Sequence, residues 1–201
     1  MIDIILARIK GEWKTSYVAE KLFKGKKVLD VGSGMGDFLK FDKKNFTGID
    51  INEEALAHCK KQGLHVKKAS VTNTPFPDKT FEGVNCQQVI EHLTPEDAFK
   101  MMQEMTRILK KGGRIALSTE MVTKRFWNTF SHIRPYPPGA IRKLLRPKGQ
   151  ETFEKIGNLE IERVYYSGAP FKSGLLSLLT TLAAHFLGIG RINYTMILRK
   201  K

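Results

Sequence analysis

Short apolar strands alternate with helix-forming segments from Lys27 to Thr119, and that rhythm restricts the possible folds more than any other feature of the chain. Lys27–Val31 is a strand ending in a glycine cluster, and Phe46–Ile51 is a second. Asn52 then stands as an N-cap, with Glu53 and Glu54 set against the positive end of a helix that runs to about Lys61. Gly63 breaks that helix, a third strand follows over Leu64–Ala69, and the turn-rich TNTPFPDKTF leads into a fourth over Gly83–Gln87. Thr94-Pro95-Glu96-Asp97 starts another helix: an N-cap, a proline where no N–H is needed, then acids in the first turn. Ala98, Met101, Met102, Met105, Ile108 and Leu109 recur at three and four, so the methionines form a core stripe and not a cofactor box. Lys110–Gly113 end the helix, and Arg114–Thr119 is the fifth strand. Strand and helix alternating at this pace predict a doubly wound α/β domain, a parallel sheet covered on both faces.

Beyond Thr119 the rhythm changes. Residues 121–150 form a basic, aromatic, proline-bearing insert, and Leu159–Tyr166 and Tyr194–Leu198 add two strands, for a mostly parallel seven-stranded sheet. Between those strands, over 174–190, Leu175, Leu176, Leu179, Leu182, Ala183, Phe186 and Leu187 share one helical face. Too short to span a bilayer, that segment is expected to be a core helix or substrate lid, ahead of peripheral membrane contact. The chain reads as a single domain over 1–201, led by a helical segment over about 1–24.

The composition, 41% hydrophobic and 27% charged over 201 residues, excludes collagen, wholesale disorder and a polytopic membrane protein. The net charge of +14 is the unusual quantity. Residues 121–150 hold no carboxylate, yet carry Lys124, Arg125, Arg134, Arg142, Lys143, Arg146 and Lys148, a one-signed stretch suited to an anionic partner. Two cysteines, Cys59 and Cys86, and an opening MIDIILARIKGEWK without a secretory cleavage pattern make a cytoplasmic protein the expectation. No feature sets an oligomeric state.

The chemistry begins in VLDVGSGMG, where Gly32, Gly34 and Gly36 let backbone approach a ligand without Cβ interference, between a strand and an expected helix. Asp50 closes the second strand, where an acid accepts hydrogen bonds from both hydroxyls of an adenosine ribose. The spacing is G-x-G-x-G and not the dinucleotide G-x-G-x-x-G, and Asp30 lies two residues ahead of the first glycine. An acid there repels a pyrophosphate and suits a cationic amino acid with a sulfonium. The loop favours S-adenosylmethionine over NAD.

Together VLDVGSGMG, GIDIN, PFPDKTFEGV, VIEHL and LKKGGRI resemble the class I S-adenosylmethionine-dependent methyltransferases, with a pattern similar to the small UbiE/UbiG-like group, over residues 20 to about 120. The resemblance implies that Asp30, Gly32, Ser33 and Gly34 line the methionine end of the cofactor, Asp50 holds the ribose and Ile51 packs on adenine. It places Ser70 where the family usually has an acid for the adenine amino group, with Val71 offering its backbone, and sets Gln87 where backbone meets the cofactor's amino group.

Methyl transfer to an alcohol needs an in-line hydroxyl roughly 3 Å from the methyl carbon and an acceptor for its proton. His92 after the fourth strand and His132 in the insert belong at the carboxyl edge of the sheet, where ligands bind, and His132 is the preferred base. His58 and His65 are expected to be structural and His185 solvated. Gln88-Val89-Ile90-Glu91-His92 resembles the E-x-x-E-H signature of metal-assisted O-methyltransferases, those of ubiquinone biosynthesis and of small-RNA 3′ ends. Gln88 replaces the first glutamate and His132 could add a ligand; the expectation is nonetheless no metal, with Glu91 and His92 orienting their turn. The expected acceptor is small, lipid-linked or glycan in nature, anionic in character and methylated on oxygen. RNA is the second expectation, from the interleaved aromatic and basic residues of Phe126–Tyr136. A non-catalytic binding module ranks last, because the motifs from Asp30 to Asp50 are intact.

Overall fold

Seven strands make one sheet: β1 (Val28–Val31), β2 (Phe46–Asp50), β3 (Val66–Lys68), β4 (Phe81–Gln87), β5 (Leu109–Glu120), β6 (Leu159–Ser167) and β7 (Asn193–Lys200), in the spatial order β3-β2-β1-β4-β5-β7-β6. The helices are α1 (Tyr17–Phe23), α2 (Glu53–Lys61), α3 (Pro95–Ile108), α4 (Pro138–Leu145) and α5 (Gly174–Leu182). This computed structural model describes residues 17–146, 153, 156, 158–168 and 174–201. Residues 1–16 of the expected N-terminal helical lead, and 147–150 of the basic insert, lie outside the described residues.

β1 pairs in parallel with β2 and β4, β2 with β3, and β4 with β5, whereas β7 runs antiparallel to both β5 and β6. Every residue of β1 is buried, as a central parallel strand covered on both faces requires. The caps read from sequence are made: the Asn52 side chain accepts from the Ala55 N–H at 3.1 Å, and Thr94 Oγ1 from the Asp97 N–H at 3.2 Å. Met101, Met102, Met105 and Ile108 on α3 are fully buried against the sheet. Asn193 pairs with both Glu120 and Ser167, so the segments after β5 and after β6 leave the sheet side by side at one edge. That edge is also the carboxyl end of β1, β2 and β4.

Several expectations are corrected. The helix expected after the glycine loop is only a 3-10 turn, Leu39–Phe41, because Asp37–Asn45 is too short for a helix and a return to β2. α3 stops at Ile108, Leu109 pairs with Phe81, and the chain bulges through left-handed Gly112 before Arg114 pairs with Gly83. The apolar stripe of the last helical segment does not enter the core. Leu175, Leu176, Leu179, Phe186 and Leu187 are exposed, while Leu178, Thr181 and Ala184 face inward. Gly168 lets the chain lie close against this helix, because a Cβ there would lie 2.4 Å from the Thr180 carbonyl oxygen. α5 passes into a π-turn, Ala183–Leu187, that stops on left-handed Gly188. His185 is half-buried and not free in solvent: its Nδ1 accepts the Tyr166 N–H at 3.4 Å, and partial burial beside Arg191 and Arg163 holds its pKa below the usual histidine range.

Candidate active site

The glycine loop is fastened from both sides. Gly32 and Ser33 both donate their N–H to the Ile49 carbonyl at 2.9 Å, and Gly32, Gly34 and Gly36 all have positive φ. A Cβ on Gly32 would lie 2.5 Å from Val89 Cγ2, and one on Gly36 would lie 2.5 Å from Leu64 Cδ1. A Cβ on Gly34 would meet nothing within 4 Å, so this middle glycine is where the loop is open to a ligand. Ser33 turns its side chain under the loop against Gly48, its hydroxyl buried and unpartnered among the described residues. It can reach a ligand only through its backbone.

Asp50 explains why this loop is no phosphate cradle. Its Oδ2 accepts the Gly34 N–H at 2.8 Å and its Oδ1 the Asn52 N–H at 2.9 Å, so the loop's central donor is already committed to a carboxylate. The remaining lone pairs suit ribose hydroxyls. Asp30 is buried at the end of β1, and Asn85 Nδ2 donates to its Oδ1 at 2.7 Å. Burial raises its pKa to about 7, opposed by the Asn85 hydrogen bond and reinforced by the negative charge of Asp50. A ligand carrying positive charge would restore the ionised form.

Ile51 stands 70% exposed beside Asp50, a bare apolar face on the rim. Ser70 lies in the loop after β3, where its Oγ accepts the Thr72 N–H at 3.2 Å and pairs with the Thr72 hydroxyl at 2.8 Å; Val71 is half-buried beside it. Gln87 ends β4, half-buried. The structure thus brings Asp30, the loop, Asp50, Ile51 and Gln87 to one sheet edge, with Ser70 and Val71 in the neighbouring loop.

The other half of the site is assembled from two distant segments. Gln88 has a φ of 55°, uncommon for a side chain of its size, and turns the chain out of β4 while its N–H bonds Ser118 O at 2.9 Å. In the 3-10 turn that follows, Ile90–His92, Glu91 is wholly buried and neither carboxylate oxygen has a hydrogen-bond partner among the described residues. Burial raises its pKa. The basic insert folds back over this turn. Ile133 N–H donates to Glu91 O at 2.8 Å, Tyr136 OH donates to Leu93 O at 2.9 Å, and Tyr194 OH donates to Tyr136 O.

This return places His132 beside His92, ring centroids 4.9 Å apart. His92 Nδ1 lies 2.9 Å from Ser131 O and His132 Nδ1 lies 2.9 Å from Phe126 O. A carbonyl only accepts, so Nδ1 carries a proton in both rings, which leaves Nε2 as the nitrogen free to accept in the neutral tautomer. Ligand atoms from Glu91, His92 and His132 all lie within 4.8 Å of one another. The trio has two chemical uses: a proton acceptor whose positive charge a buried carboxylate offsets, or two imidazoles and a carboxylate around a divalent cation. Gln88 contributes no anionic ligand to the second.

Sequence reasoning missed Asn85, which holds Asp30, and Val89, which closes under Gly32. An amide between apolar Val84 and Cys86 was a visible signal for the first. It also missed Phe126, whose carbonyl lies against His132 Nδ1 and whose ring stands 4.5 Å from it; the two residues are joined by irregular chain whose path no periodicity marks.

A doubly wound sheet with a glycine loop held by Asp50 and a second, buried acid in β1 is the arrangement that the resemblance to class I S-adenosylmethionine-dependent methyltransferases implies. Residues 29–117 match the family model described as a methyltransferase domain. It is similar to a fatty-acid O-methyltransferase of Mycolicibacterium smegmatis, 33% identical over 49% of this chain and 38% of the relative. It is also similar to a ubiquinone biosynthesis O-methyltransferase of Pseudomonas aeruginosa, 26% identical over 70% of this chain and 67% of that one. The chain spans less than half the length of the first of these. An S-adenosylmethionine-dependent methyltransferase from Archaeoglobus fulgidus has the same fold, with a TM-score of 0.66, 22% identity, and coverage of 100% of this chain and 95% of that one.

Proposed function

We propose that the protein O-methylates a small, lipid-linked or glycan acceptor of anionic character, with His132 as the general base. The observation that carries this reading is the imidazole of His132, held through Nδ1 against the Phe126 carbonyl at the carboxyl edge with the buried Glu91 carboxylate alongside. S-adenosylmethionine, when bound, supplies an electrophilic methyl on a sulfonium. Asp30 and Asp50 hold its charged and ribose ends, His132 Nε2 takes the acceptor's hydroxyl proton, and Glu91 offsets the imidazolium that results. A cavity of about 200 Å³ next to the Glu91 turn supports an apolar acceptor with an anionic group, because Ile90, Phe99 and Tyr136 line it together with Arg134 and Lys143.

The test is transfer of labelled methyl to long-chain fatty acids, hydroxylated aromatic acids with alkyl tails, and short RNA, with the product atom located by NMR. His132→Asn is expected to lower kcat about 100-fold or more while binding of S-adenosylhomocysteine stays within twofold. Unchanged turnover in that variant removes His132 from the chemistry. RNA as acceptor is the second reading, favoured by exposed Trp127 and Phe130 beside Arg125 and Arg134. It requires affinity that falls steeply with salt.

A further inference from the structure

We infer that the carboxyl edge of the sheet docks on the surface of an anionic lipid bilayer, using apolar side chains from both C-terminal inserts. Trp127, Phe130 and Ile133 leave the sheet after β5; Leu175, Leu179, Phe186, Leu187 and Ile189 leave it between β6 and β7. All are exposed, Phe130 completely and Leu187 by 71%. The two inserts start side by side, since Met121 N–H bonds Ile192 O at 2.7 Å and Ile192 N–H bonds Ser167 O at 2.9 Å. Large apolar side chains exposed in such number on one edge mark an interaction surface and not ordinary surface scatter.

The charge pattern selects the occupant. No carboxylate occurs in 121–150, and none occurs anywhere in 163–201. The first insert displays Lys124, Arg125 and Arg134 to solvent among its exposed aromatics. Basic groups interleaved with leucine and aromatic side chains, without opposing acids, match a headgroup layer of anionic lipid above an acyl boundary. A lid would instead turn these side chains into a cavity. The apolar cavity next to the Glu91 turn is lined from α3, α4 and the insert, and none of the exposed α5 leucines contributes to it. No helix among the described residues is long and apolar enough to cross a membrane, so the contact is interfacial. Docked this way, Asp50, His92 and His132 face the bilayer, and an amphipathic acceptor reaches them from the lipid phase. Vesicle binding needs no methyl transfer, so it stands or falls separately from the proposed reaction.

Flotation of the full chain with vesicles tests this. Wild type is expected to float with equimolar phosphatidylglycerol and phosphatidylcholine and to stay behind with phosphatidylcholine alone. Leu175→Gln/Leu179→Gln/Leu187→Gln, Trp127→Ser/Phe130→Ser and Lys124→Glu/Arg125→Glu are each expected to lower the partition coefficient about tenfold or more, with the thermal unfolding midpoint unchanged. The two apolar variants lie on separate inserts, so one misfolded variant leaves the other as a test. Three results overturn the inference: wild type that does not float, apolar variants that float as wild type does, or a wild-type dimer that the leucine variant dissociates.

Discussion

Asp30→Asn should make the free protein more stable and its cofactor binding worse. Unfolded, Asp30 releases its proton near 3.8; folded, it keeps it up to about 7. Between those values the folded chain holds a proton that the unfolded chain has lost, so stability falls as pH rises through that window. Above it the full deficit remains, roughly 3 pKa units or about 4 kcal/mol, undiluted by solvent because the carboxyl is buried. Asparagine is nearly isosteric, keeps an acceptor for Asn85 and carries no charge to desolvate. Urea unfolding without ligand should therefore show the variant gaining most at about pH 8 and little at about pH 4. Calorimetric titration with S-adenosylmethionine should show affinity reduced about 10–100-fold, the loss of one charge-assisted contact. A variant with wild-type pH dependence, or one less stable at the higher pH, would refute the claim that a desolvated carboxylate is held there for a cationic ligand.

Gly32→Ala should destabilise by about 1–3 kcal/mol, because its Cβ meets Val89 at 2.5 Å in a left-handed backbone, and Val89→Ala should recover part of that in a double-mutant melt. Gly34→Ala, with nothing nearby, should cost only about 1 kcal/mol yet weaken S-adenosylhomocysteine binding about tenfold, separating ligand approach from packing. Turnover should survive exhaustive chelation with EDTA; loss of activity restored by magnesium or manganese would reassign Glu91, His92 and His132 as metal ligands. Glu104 bonds Arg107 and the Thr74 N–H and hydroxyl, which together hold its pKa at about 2 against an ordinary 4.5. That contribution is complete above 4.5 and fades as pH falls toward 2, so Glu104→Gln should lose about 1–2 kcal/mol at neutral pH, after allowing for partial exposure, and converge with wild type in acid melts.

Local chemistry was legible without coordinates. The caps at Asn52 and Thr94, the buried methionine face of α3 and the turn at Gly32–Gly36 depend on residues close in sequence, and each forms as its spacing requires. The positions of Asp30 and Asp50 follow from strand ends, which hydrophobic periodicity marks. Periodicity failed where the outcome depends on a partner. It identified the leucine stripe of α5 as apolar, but amphipathy does not say which face meets a neighbour, and the structure buries Leu178, Thr181 and Ala184 in its place. The missing helix after the glycine loop was a matter of chain length between β1 and β2. The pairing of His132 with His92 and Glu91 needed the insert to fold back from β5 onto the turn after β4. The sequence by itself determined a glycine loop with two acids on a doubly wound sheet; only the tertiary structure decided the cluster of Glu91, His92 and His132 and the outward apolar surface, because both arise from contacts between segments apart along the chain.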